Sequence, residues 1–170
     1  MDLVVAVDLN WGIGLDGTQT VVIPEDRKYF RELTRGSTVI LGRRTLLDFP
    51  GAKPLPKRRN IILTSDLNFT VEGGEVAHSV KEAVEMTKDD PKVFVIGGAS
   101  VYRQFLPLCK YAYVTKLYVD AEADRHLRNL DMDPNWRLCE PEERKISENG
   151  IEYAFLKYEA VDKLSDEEAD

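Results

Sequence analysis

The stretch Val93-Phe94-Val95-Ile96-Gly97-Gly98-Ala99-Ser100-Val101-Tyr102 decides the fold of this chain. It begins as an apolar run that stops at two adjacent glycines, and an amphipathic helix pattern follows at once. A short apolar run of this kind is typical of a buried strand in a parallel sheet. Glycines at its end let a ligand approach the backbone, and the free amides of the next helix favour an anion such as phosphate. The stretch therefore predicts an α/β fold and indicates a nucleotide site, with a Gly-Gly packing turn as the alternative.

Strand and helix patterns alternate along most of the remaining chain, which indicates βαβ units on a mostly parallel sheet. Pro24 suits the first position of a helix and Gly36 lies just past its end. Ser79 is a suitable cap for a later helix. The patterns predict strands over 3–9, 37–41, 60–64 and 92–96, and helices over 24–34, after residue 42, over 79–88 and over 99–106.

The last third of the chain has a different pattern. Residues 111–119 and 151–158 read as strands without a strong helix pattern between them, which predicts an antiparallel strand added at one edge of the sheet. Residues 161–170 are acidic and nearly devoid of large apolar groups, and are predicted to form a disordered tail.

Composition limits the possible functions. The 170 residues are 43% hydrophobic with a net charge of -7, which suits one domain and argues against nucleic acid or anionic membranes as partners. No apolar segment is long enough to span a bilayer, and the first residues lack the basic region of a signal peptide. Cys109 and Cys139 show no disulfide pattern, and two histidines give little basis for a metal site. We expect a cytoplasmic protein without a metal.

A glycine-rich segment follows the first predicted strand. Gly12, Gly14 and Gly17 match the dinucleotide fingerprint G-x-G-x-x-G, which requires a helix to open within the glycines. Residues 18–22 are instead rich in β-branched side chains, and the first credible helix starts at Pro24. The segment is therefore interpreted as a mobile loop.

Three polar motifs are candidates for chemistry, each with a structural alternative. Asp26 shares a helix face with Phe30, so its carboxyl could enter an apolar pocket with a raised pKa, or simply complement the helix dipole. Arg43 and Arg44 follow a strand and could clamp phosphates, or remain solvated. The basic loop around Arg58 could bind a carboxylate bidentately, or keep a sheet edge soluble.

In their order and spacing, these motifs resemble the dihydrofolate reductase family over about residues 1–158. Each motif is modest alone, but their joint order is highly specific. The resemblance rests on Gly12-Ile13-Gly14, Pro24-Glu25-Asp26 with Phe30, Gly42-Arg43-Arg44-Thr45, Pro54-Leu55-Pro56-Lys57-Arg58-Arg59-Asn60-Ile61, Val95-Ile96-Gly97-Gly98 through Tyr102, and Tyr113-Val114-Thr115-Lys116.

The resemblance implies one three-layer α/β domain over residues 1–160, with helices flanking a mostly parallel central sheet. It also implies an activity and a substrate site. NADPH would deliver a hydride from nicotinamide C4 to C6 of dihydrofolate, with N5 protonated by water. Asp26 would be the catalytic acid of the pterin pocket, supported by Thr115, and Arg58 would bind the α-carboxylate of the glutamate tail. The remaining substrate contacts would come from Val4, Val5, Ala6, Phe30, Phe49 and Ile96. Dihydrofolate and antifolates would be the ligands of a monomeric enzyme.

The resemblance also implies a cofactor site around Gly97 and Gly98, which the family joins by a cis peptide. A loop over residues 9–20 would close on the nicotinamide and exclude water. Ser65 would hold the adenosine 2′-phosphate. The full predicted cofactor set is Ala6, Ile13, Gly14, Gly42, Arg43, Arg44, Thr45, Leu63, Thr64, Ser65, Ile96, Gly97, Gly98, Ala99, Ser100, Val101 and Tyr102.

The chain departs from the family pattern at a few positions. Thr20-Val21 replaces the usual Pro-Trp before the acid, which predicts a slower or less discriminating enzyme. Arg27 adds positive charge near the path of the benzoyl-glutamate, and Ser100 stands where some members carry an arginine for the 2′-phosphate. A pyrimidine reductase of riboflavin synthesis and a non-catalytic NADPH-binding domain remain alternatives, against which Asp26, Arg58 and Thr115 argue.

Overall fold

The computed structural model describes residues 1–15, 19 and 21–161. A central mixed sheet dominates this part of the chain, with strand order β10-β11-β7-β1-β6-β3-β4-β5 and with β9 paired to β11. A separate ribbon pairs β2 with β8. The strands are β1 (Asp2–Val7), β2 (Gly12–Gly14), β3 (Thr38–Gly42), β4 (Arg59–Leu63), β5 (Glu75–Ala77), β6 (Val93–Gly97), β7 (Tyr111–Leu117), β8 (Arg125–His126), β9 (Trp136–Leu138), β10 (Lys145–Ile146) and β11 (Glu152–Ala160).

Four α-helices connect and cover these strands in the described part of the chain: α1 (Pro24–Thr34), α2 (Arg43–Asp48), α3 (Val80–Thr87) and α4 (Ala99–Phe105). Single 3₁₀ turns cover Pro50–Ala52, Leu106–Leu108 and Leu130–Met132. None of the helices in the described ranges has the length and apolar character that a bilayer crossing requires.

The parallel half of the sheet follows the predicted strand patterns. Strands β3 and β6 are buried at all five of their residues, as expected for strands covered on both faces. Strand β1 pairs in parallel with β6 and β7, and β3 pairs in parallel with β4 and β6. The carboxyl ends of these strands therefore meet at one edge of the sheet.

The helix boundaries agree with the local signals in the sequence. Pro24 occupies the start of α1, where its missing N–H leaves no intrahelical bond unmade, and Gly36 follows the end of α1 with φ +78°. Ser79 caps α3 by accepting a hydrogen bond of 3.0 Å from the Glu82 N–H.

Two apolar clusters cover the opposite faces of the sheet. Alternate residues of β1 separate between them, because successive side chains of a strand point to opposite faces. Leu3, Val5 and Val7 lie in the larger cluster with Trp11, while Val4 lies in the smaller one with α1 and α2 residues. The sheet thus lies between two layers, as predicted.

The C-terminal strand is antiparallel, which confirms the prediction, but it does not form the edge of the sheet. Strand β11 pairs along its length with β7, and the short strands β9 and β10 both pair with it on its outer side. Five strands that were not predicted have only two or three residues each: β2, β5, β8, β9 and β10. Runs of this length show no periodicity that a pattern could reveal.

Candidate active site

The edge at which the parallel strands end contains the predicted acid. Asp26 lies in the first turn of α1, and its Oδ1 accepts a hydrogen bond of 2.6 Å from the hydroxyl of Thr115 on β7. Thr115 is 2% exposed and pairs in register with Ala6 of β1. Burial raises the pKa of Asp26 above its ordinary value, and the Thr115 hydrogen bond opposes that rise. Residues 89 positions apart in the sequence thus place a carboxyl with a raised pKa at the sheet edge.

An apolar wall adjoins this carboxyl. Val4, Ile96, Phe30 and Phe49 belong to one cluster on the α1 side of the sheet. The side chain of Val5 lies in the cluster on the opposite face, so only its backbone is available to this pocket. The structure therefore brings together four of the six predicted apolar residues and places Val5 on the opposite face, while the half-buried Ala6 pairs in register with Thr115.

Aromatic side chains extend the wall beyond the prediction. Tyr29 stacks on Phe155 of β11, with ring centroids 4.2 Å apart. Burial raises the pKa of Tyr29 to about 12, and the nearby charges of Tyr113 and Asp26 act in the same direction. Tyr29 is therefore a neutral phenol at physiological pH, whereas Asp26 is a carboxyl whose pKa burial raises above its ordinary value.

Arg58 lies at the other end of α1, held by neutral acceptors. Its Nε donates to the Thr34 hydroxyl at 2.9 Å, and its terminal nitrogens donate to the carbonyls of Pro56 at 2.6 Å and Arg31 at 3.3 Å. Burial, followed by the positive charges of Arg35 and Arg31, lowers the pKa of Arg58. A guanidinium fixed in this way, without a carboxylate partner among the described residues, is suited to receive an anion.

Two strand-to-helix junctions approach each other on the cofactor side. A Cβ atom on Gly42 would lie 3.1 Å from the Val101 side chain, and one on Gly98 would lie 3.4 Å from the hydroxyl of Thr45. Gly42 precedes α2 and Gly98 precedes α4, and neither helix has a side-chain cap. The peptide between Gly97 and Gly98 is cis. The two junctions therefore pack closely against each other and form a backbone surface on which the amides that open α2 and α4 have no side-chain cap.

Tyr102 fixes the position of this surface relative to β1. Its buried hydroxyl lies 2.7 Å from the carbonyl oxygen of Val4 and 2.9 Å from that of Ile96. Gly97, with φ +130°, passes directly over the Tyr102 ring, to which a Cβ atom would come within 3.6 Å. Burial raises the pKa of Tyr102, so the hydroxyl stays a donor between the two strands.

Other predicted cofactor residues lie around this surface without converging. Arg43 pairs with Asp66 at 3.2 Å and covers the Phe69 ring at 4.9 Å. The Thr64 hydroxyl accepts a hydrogen bond from the Asp66 N–H. Leu63 and Ala99 are half-buried, whereas Arg44, Ser65 and Ser100 are exposed. The structure thus places these side chains near the strand ends but gives them no common ligand geometry.

The predicted glycine-rich loop forms a short ribbon where it is described. Ile13 and Gly14 lie in β2, which pairs with β8, and the Gly14 carbonyl accepts a hydrogen bond of 2.9 Å from the Asp124 N–H. Gly17 and Thr20 lie outside the described residues, so the predictions that fall on them stay predictions. Val21 packs against a buried group of Ile23, Leu117 and Tyr153.

Comparison with known families shows to which family the chain belongs. A family model described as dihydrofolate reductase matches residues 1–160. The chain belongs to the dihydrofolate reductase family. It is accordingly an oxidoreductase that uses NADPH, and the predicted family and fold are confirmed.

Individual dihydrofolate reductases resemble the chain over nearly its whole length. The enzyme of Bacillus subtilis strain 168 is 34% identical over 160 residues, which cover 94% of both chains. The enzyme of Mycobacterium leprae is 38% identical over 149 residues, which cover 86% of this chain and 89% of the other. A solved structure of the Enterococcus faecalis enzyme, complexed with NADP(H) and RAB-propyl, has a TM-score of 0.84 at 29% identity and covers 95% of this chain and 96% of its own.

Two further polar groups beside this reductase site were missed from the sequence. Asp8, at the end of β1, is 3% exposed and accepts hydrogen bonds from three backbone amides. Glu25 accepts hydrogen bonds from Ser147 and Glu148, more than 120 residues away. A carboxylate directly after a buried strand is a signal that could have drawn attention to Asp8. No local signal points to the partners of Glu25.

Proposed function

We propose that this chain reduces 7,8-dihydrofolate to 5,6,7,8-tetrahydrofolate with NADPH, and that Asp26 is the catalytic acid. The observation that carries the assignment of Asp26 is its position at the sheet edge, with a raised pKa and a hydrogen bond from Thr115. Bound NADPH would supply the hydride from nicotinamide C4 to pterin C6. The protein's own part is to hold the pterin, favour its protonated form and keep water out.

Asp26 would bind the 2-amino group and N3 of the pterin. A carboxyl whose pKa is raised by burial retains its proton closer to neutral pH than an exposed aspartate does. Together with a bound pterin, it would therefore favour the protonated and more electrophilic form of the ring, while N5 receives its proton from water. Thr115 takes no part in the chemistry itself. Its hydroxyl donates a hydrogen bond to Asp26 and so fixes the position of that carboxylate oxygen.

The apolar wall and Arg58 would hold the rest of the substrate. Phe30, Phe49 and Ile96 share one cluster beside Asp26, which suits the flat pterin and benzoyl rings. Arg58 is held at the far end of the same helix by neutral acceptors and would bind the α-carboxylate of the glutamate tail. Antifolates with the same flat heterocycle would occupy the same pocket.

The glycine junctions fit the cofactor. The absence of side chains at Gly42 and Gly98 lets the two junctions approach each other closely, since a Cβ atom would lie 3.1 Å from Val101 or 3.4 Å from Thr45. The uncapped amides of α2 and α4 would face the phosphates of NADPH. Arg43, Arg44 and Ser65 would distinguish the 2′-phosphate, and Ile13 and Gly14 would cover the nicotinamide.

The setting of the enzyme is part of the proposal: a cytoplasmic monomer that does not bind nucleic acid or membranes. Both cysteines are free, which suits a reducing compartment. The net charge of -7 disfavours anionic partners. A sedimentation experiment that finds a stable dimer at micromolar concentration would overturn the monomer assignment.

The test of the function is NADPH oxidation at 340 nm with dihydrofolate, in the intact chain and in Asp26→Asn. We expect robust turnover in the intact chain, and a fall of about 10²-fold or more near neutral pH in the variant, with NADPH binding retained. Glu32→Gln is the matched control, because it removes a carboxylate from the exposed side of the same helix and should leave turnover unchanged.

The outcomes separate the alternatives. NADPH binding without turnover of dihydrofolate would favour a related reductase or a non-catalytic domain. The first cause of lost turnover to test would then be the tryptophan that Val21 replaces, by means of Val21→Trp. If Asp26→Asn keeps most of the activity, the proton-handling role proposed for Asp26 is wrong even though the reaction stands.

A further inference from the structure

Asp8 is a buried carboxylate that no step of the proposed reaction uses and that, unlike the buried Asp133 with its partner Arg128, has no cation beside it among the described residues. It directly follows β1 and is 3% exposed. None of the ion pairs found among the described residues includes it. A buried carboxylate without a cation is costly unless hydrogen bonds replace its water.

Backbone amides from two different loops supply those hydrogen bonds. Oδ1 accepts from the N–H of Asn10 at 2.8 Å and of Gly12 at 2.7 Å, both in the loop that leads into β2. Oδ2 accepts from the N–H of Ala121 at 3.1 Å, in the loop that follows β7. The two oxygens of one side chain therefore connect the loop that follows Asp8 with Ala121, which lies 113 residues from Asp8 along the chain.

The packing around the Asp8 carboxylate fixes how the two loops align with each other. A Cβ atom on Gly12 would lie 2.5 Å from the Cβ of Ala123 and less than 3 Å from both Asp8 oxygens. Trp11, 3% exposed, is held at φ +61°, in the left-handed region. Only a glycine at position 12 allows the two loops to approach Asp8 this closely.

Backbone hydrogen bonds extend this contact between the two loops to the segment that carries Ile13 and Gly14. The Leu9 N–H donates to the Val119 carbonyl at 3.0 Å, and the Leu127 N–H donates to the Trp11 carbonyl at 2.9 Å. The Asp124 N–H donates to the Gly14 carbonyl at 2.9 Å. Asp8 lies at the base of this ladder of hydrogen bonds, where β1 ends. Its side chain accepts hydrogen bonds from both segments of the ladder.

We propose that Asp8 is a positioning residue that sets the register of the 9–15 segment against the 119–127 segment, and thereby the position of Ile13 and Gly14 over the nicotinamide. The inference rests on the proposed function for its effect on catalysis, but the coupling of the two segments does not. Hydride transfer depends steeply on the distance and alignment of the reacting atoms. Loss of the register should therefore slow the chemical step more than it weakens binding of dihydrofolate.

The variants Asp8→Ala and Asp8→Asn distinguish the hydrogen bonds that Asp8 accepts from the 9–15 segment from the one that it accepts from the 119–127 segment. Alanine removes all three hydrogen bonds. Asparagine keeps an oxygen for the amides of Asn10 and Gly12 but turns an NH₂ group toward the Ala121 N–H, so it breaks only the bond between the loops. Asp120→Asn is the matched control, because the Asp120 carboxylate bonds the Glu122 N–H within a single loop.

Two readouts test the proposal. In Asp8→Asn we expect single-turnover hydride transfer to fall by about 10-fold or more, with the dihydrofolate KM changed by about twofold or less. Amide exchange should increase by about fivefold or more across 119–127, and in Asp8→Ala across 9–15 as well. Asp120→Asn should match the intact chain in both readouts. A lower Tm alone, with these readouts unchanged, would show a structural role only and overturn the proposal.

Failure of the proposed function gives a different result. If the intact chain does not reduce dihydrofolate, amide exchange in the free and NADPH-bound protein still decides whether Asp8 couples the segments. Increased exchange in both segments of Asp8→Ala supports the coupling, and exchange equal to that of the intact chain overturns it. Asp8→Asn keeps this test available if the alanine variant fails to fold.

Discussion

At the scale of single residues, the reductase site depends on how Thr115 holds Asp26. The threonine hydroxyl donates to the aspartate, and this hydrogen bond lowers the Asp26 pKa while burial raises it. The pKa of Asp26 is therefore set by two opposing effects. An isosteric substitution of Thr115 can remove one of them, the hydrogen bond.

Thr115→Val removes that hydrogen bond and keeps the side-chain volume. The Asp26 pKa should rise further, because burial is then less opposed, so the pH at which activity declines should move upward. Folding should lose about 1 kcal/mol, the usual net value of one hydrogen bond. A pH–rate profile and a urea titration measure the two effects. Thr115→Ser should restore both, and a Thr115→Val profile that superimposes on that of the intact chain would contradict the role of Thr115.

Arg58 offers a prediction about the substrate rather than the chemistry. Its guanidinium is held by Thr34, Pro56 and Arg31 far from Asp26, so its loss should weaken ground-state and transition-state binding equally. Arg58→Gln should raise the dihydrofolate KM by about 10- to 100-fold, with kcat nearly unchanged. A dihydropteridine without the glutamate tail is the control substrate. Equal losses with both substrates would show that Arg58 does not bind the tail.

At the scale of the elements, Glu25 fastens the start of α1 to the turn between β10 and β11. Its two oxygens accept hydrogen bonds of 2.8 Å from the Ser147 hydroxyl and the Glu148 N–H. Ser147 is 4% exposed, so the turn is packed against the helix. The same corner holds the cluster around Ile23 and Tyr153 in which Val21 packs, at the position where the family usually carries tryptophan.

The pH dependence of stability tests this connection. The hydrogen bond from the Glu148 N–H, with smaller contributions from other donors, lowers the Glu25 pKa in the folded state. A lowered acid pKa stabilises the fold above the unfolded-state value and loses that stabilisation as the pH falls through the folded-state value. Glu25→Gln should therefore lower the Tm at pH 7, and the difference should shrink as the pH falls below 4.5, the ordinary pKa of the group.

Glu148→Gln is the control for this experiment, since it removes a carboxylate from the same turn but keeps the N–H that bonds Glu25. Its Tm should follow that of the intact chain at each pH. A Glu25→Gln difference that is constant with pH would show that the charge of Glu25 does not stabilise the turn.

At the scale of the whole molecule, the sheet is completed by its C-terminal strand. Strand β11 lies between β7 on one side and β9 and β10 on the other, and the Val161 N–H still donates to the Asn135 carbonyl. The fold therefore depends on the chain up to residue 161. Residues 162–170, for which the sequence predicts a disordered tail, lie outside the described residues.

A chain ending at residue 161 tests this boundary. We expect its Tm, kcat and KM values to equal those of the full chain, because residues 162–170 contain one large apolar side chain and are otherwise polar, acidic or small. Thermal unfolding and steady-state kinetics on the two chains are sufficient. A lower Tm in the shorter chain would assign the tail to the folded domain.

The local signals of the sequence predicted the elements that depend on nearby residues. Helix α1 begins at Pro24 and ends before Gly36 as its signals indicate, and the apolar run before Gly97 forms the buried strand β6. These features result from backbone conformation and from periodic burial, both of which can be read over a few neighbouring residues. The resemblance of the ordered motifs supplied the family, and with it the candidate roles of Asp26 and Arg58.

Sequence alone determined the fold class, the long strands and helices, and the identity of the polar groups at the strand ends. Only the tertiary structure decided which side of the sheet Val5 faces, which short strands flank β11, and which distant amides bind Asp8 and Glu25. The physical reason is that β9 and β10 are too short to show a periodic pattern, while the amides that bind Asp8 from Ala121 and Glu25 from Glu148 lie more than 100 residues away along the chain. Such contacts form only after the sheet has brought the strand ends together, and no local pattern encodes them.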